Sequence, residues 1–159
     1  MSKNQDAIFA AGCFWGVEEK FFRTPGVLST QVGYTGGKLE NPSYEQVSSG
    51  KTGHAEAVKI LFDPHKISYS KLLDIFWKIH DPTTLNRQGA DVGSNYRSAI
   101  FYLDDEQKIE AEESKKRMGK TGLLQEKIVT EIVKENKFYP AEEYHQKYFL
   151  KNPNHGCPI

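Results

Sequence analysis

Cys13 stands between Gly12 and the aromatic pair Phe14-Trp15, with Gly16 next, and a thiol so placed is a candidate nucleophile. The apolar run Ala7-Ile8-Phe9-Ala10-Ala11 reads as a strand ending at Gly12, after which Phe14, Val17 and Phe21 recur at helical spacing. Cys13 therefore falls at a strand-to-helix junction. Unpaired amides and the positive end of the helix dipole favour a thiolate there, and a cysteine of ordinary pKa ~8.5 is shifted down by several units in such places. Phe14 and Trp15 offer an apolar, polarizable wall suited to a methyl group or a soft sulfur. Phe14 also fits a core position, in phase with Val17 and Phe21, whereas Trp15 lies off that stripe.

Glu56 is the second candidate. In a strand beginning at Ala55, alternation puts Glu56 on the face of Val58, Ile60 and Phe62, where desolvation raises a carboxyl pKa and makes a proton donor at neutral pH. The competing reading is a strand-end glutamate reaching solvent or pairing with a lysine. His54-Ala55-Glu56 resembles the His-x-Glu of zinc deaminases, but the downstream Pro-Cys-x-x-Cys is missing, so that reading is set aside. Cys13 with one of five histidines leaves a papain-like hydrolase open.

Cys157 lies in Asn152-Pro153-Asn154-His155-Gly156-Cys157-Pro158-Ile159, a tail whose two prolines and glycine disfavour helix and sheet. Two cysteines are too few for a disulfide scaffold, and no Cys-x-x-Cys suggests zinc. A mobile cysteine that visits a reactive one is a redox pair.

These residues need a scaffold, and the chain of 159 residues is long enough for one domain, residues 1–159, with a mobile tail at about 151–159. Its 21 basic and 21 acidic residues cancel, leaving no basic stripe for nucleic acid or an anionic membrane. The polar start and the shortness of the apolar run after it argue against a signal peptide or membrane span, so the expected location is cytoplasmic. Strands are expected at 7–11, 27–34, 55–62, 98–103 and 127–133. Irregular loops are expected at 35–53 and 81–95. Helices are expected after Cys13, after Ser68 (Leu72, Ile75, Phe76 and Ile79 on one face), after an Asp104/Gln107 cap, and from Pro140 with Tyr144 and Tyr148. This order suggests an α+β fold, a two-layer α/β sandwich with helices packed on a sheet.

The blocks Gly12 to Gly16, Gly53 to Val58, Tyr96 to Ile100 and Ala141 to Tyr148 resemble, in the expected order, the A-type peptide methionine sulfoxide reductases. The resemblance implies a ferredoxin-like core with a mixed sheet, and reduction of the S epimer of methionine sulfoxide, free or in oxidised proteins, with no metal and no organic cofactor. It makes Cys13 the nucleophile, Phe14 and Trp15 the methyl pocket, Glu56 the acid on the sulfoxide oxygen, and Tyr44, Asp91 and Tyr96 further lining of the site. The block at 141–148 is taken mainly as a mark of the fold. By the same resemblance Cys157 resolves a Cys13 sulfenic acid to a disulfide, and thioredoxin reduces it. The sequence ends two residues after Cys157, without the Gly-rich extension and further cysteine of some longer members, so no relay to a third thiol is expected. A non-catalytic thiol sensor is the alternative outside enzymes; it needs Cys13 and Cys157 but not Glu56.

Overall fold

Strand β1 (Gln5–Ala11) is apolar on both faces, and the structure, a computed structural model describing residues 3–122, 124 and 126–154, places it inside a sheet. Helix α1 (Phe14–Phe22) follows, then β2 (Val27–Thr35), a short α2 (Tyr44–Ser48), β3 (Ala55–Phe62) and α3 (Tyr69–Lys78). A two-strand hairpin, β4 (Arg87–Gln88) and β5 (Asp91–Val92), leads through a 3-10 turn at Ser94–Tyr96 to β6 (Ser98–Tyr102). The chain continues as α4 (Asp105–Lys120), β7 (Glu131–Lys134), β8 (Tyr139–Pro140), a 3-10 turn at Glu143–His145 and α5 (Tyr148–Lys151).

Among the described residues the main sheet runs β7-β6-β1-β3-β2-β8. Its centre is β6-β1-β3-β2, with β1 antiparallel to both neighbours and β2 antiparallel to β3. This split βαβ arrangement is the ferredoxin-like core. Strand β7 runs parallel to β6 after the α4 crossover, which makes the sheet mixed as expected.

The pleat sorts the sequence into two faces. Ala7, Phe9 and Ala11 of β1 join Val58, Ile60 and Phe62 of β3 in the larger core, covered by Phe14, Val17 and Phe21 of α1, by Leu72, Leu73, Phe76 and Trp77 of α3, and by Ala111 of α4. Ile8, Ala10, Ala55, Ala57, Ala99 and Phe101 face the other way, under Val133 and Phe138. The helices thus form one layer and the sheet the second. The apolar face of α3 is centred one position from the expected stripe: Leu73 and Trp77 are buried, while Ile75 and Ile79 are half-buried. Helix α4 is mostly solvated, with Asp104 capping Gln107 as its sequence predicts and the Trp77 indole donating to Ser114 Oγ at 2.7 Å. Among the described residues no helix is long and apolar enough to cross a membrane.

Four expectations need correction. The 35–53 segment is not wholly irregular, because Ser43 and Gln46 form a reciprocal capping box that starts α2. The 81–95 segment contains the β4/β5 hairpin. The strand expected at 127–133 begins at Glu131, since the Val129 amide donates to Pro82 O outside the sheet, and β8 follows it. No helix starts at Pro140: Tyr139 and Pro140 pair with Tyr34 and Gly33, and the chain crosses the sheet edge as an irregular strap. Its side chains take over the backbone's partners, with Gln146 both accepting from the Val32 amide and donating to the Val32 carbonyl, each at 2.9 Å.

Two glycines should respond oppositely to alanine. A Cβ at Gly33 would lie 2.4 Å from the Tyr139 carbonyl oxygen, so Gly33→Ala should push β8 away and cost about 1–3 kcal/mol as overpacking. Gly119, inside α4 with nothing within 4 Å of an added Cβ, should gain about 0.5–1 kcal/mol in Gly119→Ala. Urea unfolding midpoints that move the same way in both variants would contradict this packing.

Candidate active site

Gly12 turns the end of β1 into α1 with φ +102, and a Cβ there would meet Gln88 Cγ at 2.7 Å, so both backbone and space require glycine. Gln88 in turn holds the hairpin segment by accepting from the Asp81 amide and donating to the Asp81 carbonyl. Cys13 is the N-cap residue of α1, half-buried and free. The next amide, that of Phe14, donates to Glu56 Oε1 at 3.2 Å. One hydrogen bond thus ties the mouth of α1 to the end of β3 and sets a carboxyl beside the thiol.

Glu56 lies on the helix-facing side with Val58, Ile60 and Phe62, 1 % exposed. Burial pushes its carboxyl up to about 8; the Phe14 amide and the Asn95 side chain pull it down, and Asp91 adds to the rise. Among the described residues its Oε2 is buried without a hydrogen-bond partner, as is Asn95 Nδ2. At neutral pH Glu56 is mostly a neutral acid. The solvent-facing alternative for Glu56 is excluded.

The thiol departs from expectation. Cys13 is pushed up to about 12, first by burial and then by the Glu56 and Asp91 carboxyls, against the opposing pull of the Trp15 and Gly16 amides. The start of one short helix does not outweigh desolvation together with two acidic neighbours. The resting group is a protonated thiol instead of the expected thiolate.

Three loop residues converge on this pair. Tyr44 opens α2, and burial raises its phenol, with Ser48 and Tyr96 pulling the other way and Glu56 and Cys13 adding. Tyr96 ends the 3-10 turn before β6 instead of opening a strand, and its phenol is raised by burial and by Glu56, Tyr44, Asp91 and Cys13. Asp91 sits in β5, half-buried, close enough for its charge to act on Cys13, Glu56 and Tyr96. Of the tail expected at about 151–159, residues 155–159, including Cys157, lie outside the described residues.

Phe14 is buried against Tyr34 and His145, with ring centroids 5.7 and 5.1 Å away. Trp15 is half-buried; its indole stacks on Tyr148 at 3.6 Å and 4°, and its Nε1–H donates to His145 Nδ1 at 2.9 Å. Phe14 is thus a core residue, and Trp15 packs against the core with part of its surface open. His54 is structural: its Nδ1 accepts from the Gly37 amide, so its Nε2–H donates to Leu39 O.

Sequence reasoning missed the strap's contribution. Glu142 accepts from the Tyr34 hydroxyl at 2.8 Å and the Tyr44 amide at 2.9 Å, while His145 and Tyr148 hold Trp15. The available signal was Glu142-x-x-His145-x-x-Tyr148, a polar and aromatic series directly after a proline.

Residues 5–159 match the family described as peptide methionine sulfoxide reductase. A peptide methionine sulfoxide reductase MsrA of Methanothermobacter thermautotrophicus is 57% identical over 157 residues, covering 99% of this chain and 93% of the relative. In structure the chain is similar to Mxr1 from Saccharomyces cerevisiae in reduced form, at TM-score 0.91 and 36% identity, over 98% of this chain and 90% of that one. It is also similar to Mxr1 in complex with Trx2, at TM-score 0.65 and 26% identity, over 92% and 85% of the two chains. Sequence and fold agree across nearly the whole length, and the chain belongs to the peptide methionine sulfoxide reductase family.

Proposed function

We propose that this oxidoreductase reduces the S epimer of methionine sulfoxide, protein-bound or free, through a sulfenic acid on Cys13. The observation that carries this reading is the bond from the Phe14 amide to Glu56, which holds a buried, largely protonated carboxyl beside the one described thiol. A sulfoxide sulfur is electrophilic, but its oxide is a poor leaving group until protonated. With the methyl group against Phe14 and Trp15, Glu56 Oε2 would protonate the oxygen while Cys13 attacks sulfur. The positive sulfur of the bound sulfoxide favours the thiolate, so the thiol gives up its proton only when substrate arrives, to the departing oxygen, and Glu56 regains its own when water adds to the Cys13 sulfur.

Atoms and electrons balance. As the Cys13 sulfur bonds to the substrate sulfur, the sulfur–oxygen bond breaks and the oxygen leaves as water; water then attacks the Cys13 sulfur, the sulfur–sulfur bond breaks, and methionine leaves with two electrons gained while Cys13, two electrons poorer, is a sulfenic acid. Cys157 then condenses with the sulfenic acid, releasing water and forming a disulfide, which a dithiol reduces. Thioredoxin is the proposed dithiol, supported by the yeast relative's structure in complex with Trx2. A thiol sensor would leave the buried acid without a task. After burial, the groups that act on Cys13 are the Glu56 and Asp91 carboxyls and the Trp15 and Gly16 amides, and not a histidine, which weighs against a papain-like hydrolase.

Assayed with separated epimers and dithiothreitol, the enzyme should turn over the S form alone, and Cys13→Ser should abolish reduction. Equal rates on both epimers would contradict the pocket, and turnover by Cys13→Ser would remove the nucleophile.

Glu56→Gln should slow the single-turnover step by ~10²–10⁴. In the wild type that step should fall as pH rises through about 8, where Glu56 loses its proton. The same shift gives a stability signature. The folded state holds a proton that the unfolded state releases at the ordinary carboxyl pKa, so wild-type stability declines as pH rises toward about 8 and Glu56→Gln removes the decline. Thermal melts at pH 6 and 9 check the sign.

Cys157→Ser should release one methionine per enzyme and then stall with thioredoxin. Mass analysis after one equivalent of substrate should find a sulfenic acid in the variant and a disulfide in the wild type; normal cycling of the variant would remove Cys157 from the scheme.

A further inference from the structure

His145 is 1 % exposed and ringed by aromatic groups, with centroids of Phe14, Trp15, Tyr44 and Tyr144 at 5.1, 5.7, 4.5 and 4.1 Å. Its Nδ1 accepts the Trp15 indole proton at 2.9 Å, which requires the neutral tautomer with the proton on Nε2. The ring is anchored from both sides. Glu142 before it is held by Tyr34 and Tyr44; after it Gln146 is bound to Val32, and the Lys147 amide donates to buried Glu18 at 2.7 Å. His145 therefore cannot follow Trp15 if the indole moves.

The indole itself is constrained in two different ways. Stacking on Tyr148 fixes the plane of the ring but leaves it free to slide and turn within that plane. Among the described residues, the hydrogen bond to His145 is the polar contact that opposes this turning, with the Phe149 ring edge-on at 6.5 Å. We propose that His145 is a positioning residue for substrate selectivity: by accepting the Trp15 indole proton it locks the in-plane orientation of the pocket wall and so sets the depth that admits a methyl group on sulfur and discriminates against a longer chain. This rests on Trp15 forming the wall of the methyl pocket, as proposed above.

The lock operates only while the imidazole is neutral. Glu142 and Tyr144 from its own segment, Tyr44 from α2 and the uncharged rings of Phe14 and Trp15 from α1 surround it. Burial lowers its pKa, with Glu142 opposing, so the neutral acceptor persists below the pH at which an ordinary histidine protonates.

The test uses a double-mutant cycle with methionine sulfoxide and its S-ethyl analogue as substrates. His145→Phe should lower kcat/KM for the methyl substrate by about tenfold to a hundredfold, the scale set by small displacements in an active site, and should shrink the methyl-to-ethyl preference. His145→Asn, whose side-chain oxygen can stand where Nδ1 does, should recover most of both. In a Trp15→Phe background, His145→Phe should change neither quantity more than about twofold, because the two residues act as a unit. If Trp15→Phe leaves the methyl-to-ethyl preference intact, Trp15 is not the wall and both readings fall. If Trp15→Phe alters the preference but His145→Phe does not, or if His145→Phe acts equally in both backgrounds, only the positioning role falls. The wild-type protein gives an independent readout should His145→Phe fail to fold. The Trp15 indole proton resonance, assigned by its loss in Trp15→Phe, should move upfield in step with protonation of the His145 ring. An indole resonance indifferent to that protonation overturns the proposal.

Discussion

The Phe14 amide has one partner, and much of the site depends on it. An N–H at the first turn of a helix has no intrahelical acceptor, and a buried carboxyl oxygen has no water. Each meets the other's need in the bond to Glu56 Oε1. The bond is also what makes the acid tolerable: without an N–H donor, a glutamate on the core face beside Val58 and Ile60 would pay the full cost of its burial. Among the described residues Oε2 has no such partner. Burial acts on the thiol too, holding it protonated well above neutral pH.

Around this pair the protein uses a division of labour between sheet and strap. The ferredoxin-like core supplies rigid ends for β1 and β3: Ala11 pairs with Ser98 two residues before Cys13, and Glu56 pairs with Tyr34. The strap after β8 supplies His145 and Tyr148, which pack on Phe14 and Trp15, and it is held by side chains. Glu18, buried within α1, accepts from the Thr30 hydroxyl and the Lys147 amide, and its carboxylate lies 3.1 Å from Lys147 Nζ. Lys147 itself takes a left-handed backbone, φ 54, unusual for a residue with a side chain, and its three contacts to Glu18 and Thr30 hold it there. A buried carboxylate satisfied this fully can hold a non-repetitive segment in place as a strand ladder would.

Most of the core was legible in the sequence because period-2 and period-3.6 patterns are local. The face assignment of Glu56 follows from counting alternation from Ala55, and the position of Cys13 from a glycine between a strand pattern and a helix pattern. The strap was not legible, because its conformation is decided by partners more than a hundred residues away. Gln146 binds Val32 and Glu142 binds Tyr34, and no local periodicity encodes either. Tyr144 and Tyr148 at helical spacing suggested a closing helix, yet Tyr144 is largely exposed and the helix begins only at Tyr148. The thiol's acidity failed for a related reason: helix position is read locally, whereas burial and the Asp91 and Glu56 charges are assembled by the fold. The signal that could have found α2, the Ser43-x-x-Gln46 pair, was local and present.

The order of strands across the sheet sets the order in which the site can be assembled during synthesis. The central strand β1 is made first, but its neighbours β3 and β6 arrive after intervening segments, and the strap follows every strand it lies against. A nascent chain that has reached β3 already carries Cys13, Glu56 and the Tyr34 ring against Phe14, but not the strap rings that pack on Phe14 and Trp15. Until residues 139–151 dock, Trp15 lacks both the ring it stacks on and the acceptor of its indole proton. The surroundings of Trp15 are therefore completed late, and an incomplete chain with its sheet centre formed would hold Cys13 and Glu56 beside an unanchored indole.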